Sequence, residues 1–332
     1  PDDGLFVGGK FTWQQQGWKV APFEALHEIT GYFATATLGA GVDYRGTFPE
    51  SVELLDQQVD VHLRTPTYTR NFFGITNTYV PDPDEPDFYR VRQATYAARY
   101  GLAKTLRERT RIGLQLSGTA IVTEATPGRF VSESPDVAPD LLGPKYYAGA
   151  RFFAETNTFD SLGLPHRGIG LHVSADSRYD VGTGRQLSTT YKLAGALAVP
   201  FDRGQRFVLI TRAQVEGIVG EHPFYFAPTL GGEGQLRAYR REQFAGDLAV
   251  SHSTDLRIEV WRIQTVMPGA VGVTLSADHG RVFGHGVAGN AYHASFGGGL
   301  WWAVLDVFGV SVAYHRSIEG AQRFSLMVGP LF

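Results

Sequence analysis

The sequence predicts an all-β chain rolled into a membrane-spanning barrel, and three observations carry that expectation. Stretch after stretch alternates apolar residues with small or polar ones, with no sustained 3.6-residue period and no capped amphipathic helix. The connections fall into two classes: short turns at 37–39, 201–205, 268–269 and 306–309, and long polar loops at 76–87, 126–143 and 221–246. Outer-membrane barrels alternate short periplasmic turns with longer extracellular loops in this way. The polar face is also too charged for the inside of a soluble sandwich, because Arg151, Glu155, Asp176, Lys192, Arg212, Glu216, Asp255, Arg257 and Glu259 all share it. In a barrel those side chains line a wet lumen and the apolar face meets lipid.

The period divides the chain into sixteen segments: roughly 4–15, 25–36, 38–48, 51–64, 67–76, 87–103, 109–124, 145–159, 165–180, 185–200, 205–220, 246–263, 269–283, 290–305, 308–319 and 322–332. In 166–176, Ile169, Leu171 and Val173 point to lipid while His172, Ser174 and Asp176 point inward. In 207–216, Phe207, Leu209, Ala213 and Val215 oppose Arg212, Gln214 and Glu216; in 271–280, Val273, Leu275 and Ala277 oppose Thr274, Ser276, Asp278 and Gly280. The closing segment sets Phe324, Leu326, Val328 and Phe332 against Arg323, Ser325 and Gly329. Segment 67–76 is the one that parity demands more than pattern does. An even count places both termini on one, periplasmic, rim. The expectation is therefore a 16-stranded antiparallel transmembrane β-barrel. No linker or repeat interrupts the series, so residues 1–332 read as one barrel domain.

Composition narrows the function classes. Of 332 residues, 19% are charged, below the roughly 25% of soluble domains, whereas 13% are aromatic. No apolar run approaches the 18 or so residues of a membrane helix. A net charge of −3 without a basic block gives no support to nucleic-acid binding. The absence of Cys excludes a disulfide scaffold and suits an exported chain. The chain opens at Pro1 with no signal peptide and reads as the mature or excised part of a longer protein. Trp301, Trp302, Phe308, Tyr314, Tyr146 and Tyr147 fall near strand ends, where barrels carry aromatic girdles.

No catalytic or metal-binding pattern stands out. Gly-x-Ser-x-Gly is missing, and His252 has the opposite strand phase to Asp255. The run Asp82, Asp84, Glu85 and Asp87 lacks the spacing and distal Glu of a calcium loop. The barrel itself is expected to be no enzyme and to need no metal or cofactor.

The segment 221–246 contains PTLGGEGQLRAYRREQFAGD, followed by HSTDLRIEVWRI and VTLSADHGRVFG. This order resembles the bacterial surface antigen family, the BamA/TpsB superfamily of outer-membrane assembly and translocation barrels. The resemblance implies a loop six, after strand eleven of sixteen, whose (V/L)RG(F/Y) motif is Leu236, Arg237, Ala238 and Tyr239 here. Ala238 departs from the motif's Gly. The acidic-x-Arg element becomes Asp255 and Arg257, and the Asp-x-Gly element becomes Asp278 and Gly280. Three further segments, DDGLFVGG, VDYRGTF and RNFFGITNTYVPDPDEPDFYRVR, look like the barrel fused behind a metallophosphatase in some members. Such a parent would carry a phosphoesterase domain ahead of this chain.

By phase, Asp255 and Asp278 both point inward on the two strands after the loop. The resemblance implies that the loop tucks into the lumen and is pinned there by its arginine; a guanidinium between two carboxylates can make bidentate, charge-assisted bonds, so Arg237 is expected to pin loop six against Asp278, with Asp255 beside it. Glu259 joins the inward acidic set. At the chain end, Gly329, Pro330 and Phe332 mark a seam and a sorting signal, since Pro330 cannot donate a ladder hydrogen bond. The family implies protein insertion, translocation or surface display at the Gram-negative outer membrane. Its expected partners are membrane lipid and an unfolded outer-membrane or passenger polypeptide. A passive porin-like channel and a membrane anchor for a fused enzyme are the competing readings.

Overall fold

In a computed structural model, the structure describes residues 6–18, 23–52, 54–68, 70–81, 87–106, 109–161, 163–263, 268–304 and 308–329. One antiparallel sheet of fifteen strands dominates, each strand bonded to its sequence neighbours. In order they are β1 (Phe6–Gln15), β2 (Ala25–Ala34), β3 (Gly39–Val52), β4 (Leu55–Arg64), β5 (Gln93–Leu106), β6 (Thr110–Thr123), β7 (Gly143–Asn157) and β8 (Gly168–Asp180). There follow β9 (Arg185–Pro200), β10 (Phe207–Gly220), β11 (Leu248–Ile263), β12 (Gly269–Phe283), β13 (His293–Val304), β14 (Phe308–Ser317) and β15 (Gln322–Gly329). The strand phases follow the sequence alternation. Ile169, Leu171 and Val173 are exposed on one face, and Ser174 is buried on the other.

Segment 67–76 is not a strand of this sheet, which corrects the count. β4 pairs directly with β5, Arg64 lying opposite Thr95. Arg70–Asn71 instead form a two-residue ladder with Arg90–Val91, and the Phe72 amide donates to the Tyr89 carbonyl at 2.9 Å. The physical reason is that the consecutive Phe72 and Phe73 are both buried. A strand with one lipid face and one wet face cannot bury two successive side chains. Pro66 also removes a donor where the strand would begin.

Losing that strand changes the topology. Loop six follows β10, although five strands still come after it, as expected. With an odd number of antiparallel strands, the described chain enters β1 at the long-loop rim and leaves β15 at the short-turn rim. Among the described residues, the first strand therefore begins at the rim opposite the one where the last strand ends, and the expected common rim for the termini concerns residues outside those described. The short connection 35–38 accordingly sits on the long-loop rim, beside 65–92, 124–142, 221–247 and 284–292.

Apolar packing concentrates where loops meet the inward face. Under the long-loop rim, Phe72, Val91, Ile121, Val131, Tyr147, Phe224 and Tyr225 form one cluster, and Leu230, Leu236, Tyr239, Phe244, Ala249 and Val282 form another. Smaller clusters at the short-turn rim join Leu164 to Ala270, Trp301 and Ala303, and Phe159 to Ala198, Val208 and Ile210.

Candidate functional site

Loop six leaves β10 as a 3₁₀ turn (Phe224–Phe226), then doubles back as a hairpin in which Thr229 and Leu230 pair with Ala245 and Phe244. Its tip is drawn tight by hydrogen bonds from the Gly232 amide to the Leu236 carbonyl and from the Tyr239 amide to the same carbonyl, both 3.1 Å. Leu236 and Tyr239 are fully buried, and Ala238 nearly so. Ala238 is absent from the residues with positive φ, so its methyl group brings no backbone strain where the family pattern has Gly. Gly280 is needed for a different reason: a Cβ there would come within 2.8 Å of the Val250 carbonyl and 3.2 Å of the Leu230 side chain. The loop rides directly over that glycine.

Arg237 sits at the centre of a charge network. Its Nε lies 3.1 Å from both Asp278 carboxylate oxygens, and one Nη donates to Asp278 Oδ1 at 2.5 Å. The other Nη donates to Asp255 Oδ1 at 2.7 Å, and the Arg237 amide donates to Asp278 Oδ2 at 3.1 Å. Arg212 caps the far oxygen of Asp255 at 2.8 Å, and the Ser295 hydroxyl donates to Asp278 at 2.9 Å. The strand register explains why one guanidinium spans both acids. Asp278 is opposite Ser253, and Asp255 is opposite Ser276, which makes the two carboxylates diagonal neighbours on one face. The Asp278 side chain has no exposed surface. Such a carboxylate is tolerated only because it is paired and fully hydrogen-bonded. Burial opposes the charge on Arg237, but the Asp278 and Asp255 carboxylates outweigh it and hold the guanidinium pKa above its ordinary value.

A second tether escaped the sequence reading. The Tyr239 hydroxyl donates to Glu319 in the β14–β15 turn, and His293 Nδ1 meets the same carboxylate at 2.7 Å. Burial, and then the Glu319 acceptor, push the Tyr239 phenol upward, so it stays a donor. The ring of Phe244 stacks on His293 at 3.8 Å. Asn77 completes the set: its carbonyl meets His293 Nε2 at 2.9 Å, its side-chain amide donates to the Ala291 carbonyl, and its Oδ1 accepts from the Val282 amide. Segment 70–80 is laced onto loop six as well. The Asn71 amide donates to Glu242, Arg70 donates to the Tyr225 carbonyl, and Gln243 donates to the Val80 carbonyl. No spacing signal pairs Asn77 with His293 or Glu319, because they lie more than 200 residues apart.

The remaining expected residues go elsewhere. Arg257 is buried near the short-turn rim, where it donates to the Pro165 carbonyl and lies 5.9 Å over the Trp301 ring. Glu259 is held by Arg262 at 2.9 Å and takes no part in the loop-six network. Gly329 pairs with Gly309 at the end of β15, and Pro330 and Phe332 fall outside the described residues. Arg257 thereby meets an inlay that shortens two expected segments, 145–159 and 165–180: the strands stop at Asn157 and restart at Gly168, and the chain between them folds across the inward face, carrying Phe159 onto β9 and β10 and Leu164 onto β12 and β13. Two cavities meet at the loop-six tip. One of about 570 Å³ reaches from Arg109 and Asn157 to Gly234, and one of about 270 Å³ is lined by Gly234, Arg237, Asp255 and Trp301.

An apolar outer face, a charged inner face and a loop pinned inside define a transmembrane β-barrel with an occupied lumen. The sequence matches the model of the Omp85 superfamily domain over residues 36–312. The chain belongs to that superfamily of outer-membrane barrels. The fold is similar to that of BamA from Haemophilus ducreyi lacking POTRA domains 1–3, with a TM-score of 0.71 at 14% identity, covering 98% of this chain and 68% of that one. CdiB from Escherichia coli gives 0.67 at 10% identity, covering 98% and 60%. CdiB from Acinetobacter baumannii gives 0.54 at 11%, covering 97% and 65%. The chain thus spans about two thirds of the length of these structures. No curated protein matches the sequence.

Proposed function

We propose that this barrel inserts, translocates or displays polypeptide at the outer membrane, with loop six as its gate and residues 1–332 as a single barrel domain. The observation that carries the reading is the latch of Arg237 on Asp278 and Asp255, which ties the loop-six tip to the barrel wall. A gate needs a plug held by bonds that another charged or hydrogen-bonding chain can replace, and ion pairs meet that need better than a sealed apolar core. The cavity reaching from the short-turn rim to Gly234 supplies a route to the latch from one side. The resemblance of three N-terminal segments to metallophosphatase-linked barrels supports a longer parent in which the barrel displays that enzyme domain.

The test is reconstitution. Vesicles holding the protein should speed the folding of a urea-unfolded outer-membrane β-barrel, read as its heat-modifiable band shift, relative to empty vesicles. The Arg237→Ala variant should change that rate and raise ion conductance in planar bilayers. Steady porin-like conductance, with no effect on substrate folding and none from Arg237→Ala, would overturn the gate in favour of a passive channel.

A further inference from the structure

The outward face carries a cationic patch that the lumenal mechanism does not use. Along β12 the outward residues run Val271, Val273, Leu275 and Ala277, then change to His279 and Arg281 within the last residues before the long-loop rim. Arg316 lies near the same rim on β14, one residue from its end, and is exposed. His252 on β11 packs beside His279, with ring centroids 4.9 Å apart. Neither arginine is paired with a carboxylate among the described residues.

Arg281 is held in place and does not trail into water. Its guanidinium lies 4.5 Å over the Phe283 ring and 5.7 Å from Tyr292, and its Nε is buried without a hydrogen-bond partner. Cations on long stems at a membrane surface ordinarily snorkel freely. One fixed by two rings, with its terminal nitrogens still able to donate, is prepared for an oxyanion at that depth. The register places Arg316 opposite Phe296 and ends with Gly280 opposite His293, which sets the next residue, Arg281, beside Tyr292, with the small Ala294 between Tyr292 and Phe296. By ordinary strand spacings the two arginines stand roughly 16 Å apart at their Cα atoms, too far to share one phosphate group.

We infer that this face of β11–β14 binds a phosphorylated glycolipid of the outer leaflet, of the lipid A type, whose two phosphates at opposite ends of a disaccharide reach Arg281 and Arg316. Charge complementarity carries the choice: basic clusters at the membrane surface recruit anionic headgroups, and two separated cations across a flat strand fit a headgroup with two separated anions. The inference uses only the orientation in which the long-loop rim faces outward. It does not depend on the gate.

The experiment uses the folded protein in detergent, stripped of lipid, with binding read by native mass spectrometry. Diphosphoryl lipid A should be retained one-to-one, and its dephosphorylated form should not. The double variant Arg281→Gln/Arg316→Gln should lower retention at least five-fold. Lys104→Gln, an outward change at the other rim, should leave retention unchanged. Since these side chains are on the surface, unaltered heat-modifiability will show that each variant is folded. Equal retention by the double variant, indifference to the phosphates, or equally strong and arginine-dependent retention of phosphatidylglycerol would each overturn the inference.

Discussion

Two segments reach into the lumen from opposite rims, and they are held by opposite kinds of force. The tip of loop six is fixed by a network in which two arginines and two aspartates balance in charge. The 158–167 inlay is fixed mainly by Leu164, nearly fully buried among Ala270, Trp301 and Ala303, and by Phe159. The ionic latch is directional, because it holds only where the guanidinium finds both carboxylates. It is also exchangeable, since another donor can take the place of Arg237. The apolar latch tolerates small shifts but is released only by bringing Leu164 into water, at a cost that grows with the area exposed. The difference bears on the proposed gate: of the two segments, loop six is the one held by bonds that another chain can replace.

Four predictions test that contrast, the largest effect first. Asp278→Ala removes the acid that accepts five of the network's bonds and leaves Arg237 with Asp255 alone. It should cost about 3–5 kcal/mol, the range for breaking a buried pair. The check is reversible urea unfolding in lipid vesicles, together with faster protease cleavage within 221–247; an unchanged cleavage rate would dissolve the latch.

Leu164→Ala should cost about 2–4 kcal/mol by the cavity it leaves. It should raise cleavage within 158–167 and leave loop six as protected as before. If loop six also loosens, the two segments form one plug and the contrast fails.

Leu171→Arg places a charge on the lipid face and should cost about 2 kcal/mol, whereas Ser174→Arg, on the inward face of the same strand, should cost far less. Equal costs would mean that the lumen is not wet.

The smallest effect is the most discriminating. Combining Arg237→Ala with Leu164→Ala should give the sum of the single changes to within about 0.5 kcal/mol, because the two latches share no partner. Arg237→Ala with Asp278→Ala should instead fall well short of its sum. Additivity in the second pair would show that the ion pair contributes nothing as a unit.

Much of this molecule is written locally. Alternation assigned Leu171, Val173, Leu275 and Phe324 to the outside and Ser174, Asp255 and Asp278 to the inside, since a strand's two faces are fixed by a period of two, wherever the strand ends up. The approach of Arg237 to Asp255 and Asp278 was legible only in part from that period: alternation turns the two acids inward, and the resemblance of Leu236–Tyr239 to the family's loop-six motif is what singles out Arg237 among the loop's arginines. What only the tertiary structure decided is which connecting segments turn inward. Residues 67–76 had a composition compatible with a strand, but Phe72 and Phe73 gained more by burying together beneath loop six. The alternation carries the expected strands to 159 and from 165, but the chain there turns inward and seats Leu164 against Ala270, Trp301 and Ala303, four strands away. Asn77, His293 and Glu319 converge from three separate stretches of chain, and no local pattern marks them. Those choices depend on apolar area and hydrogen-bond partners supplied by residues far away in sequence. The strand faces follow from the chain alone, and the contents of the lumen follow from how its loops pack against one another and against the inward face.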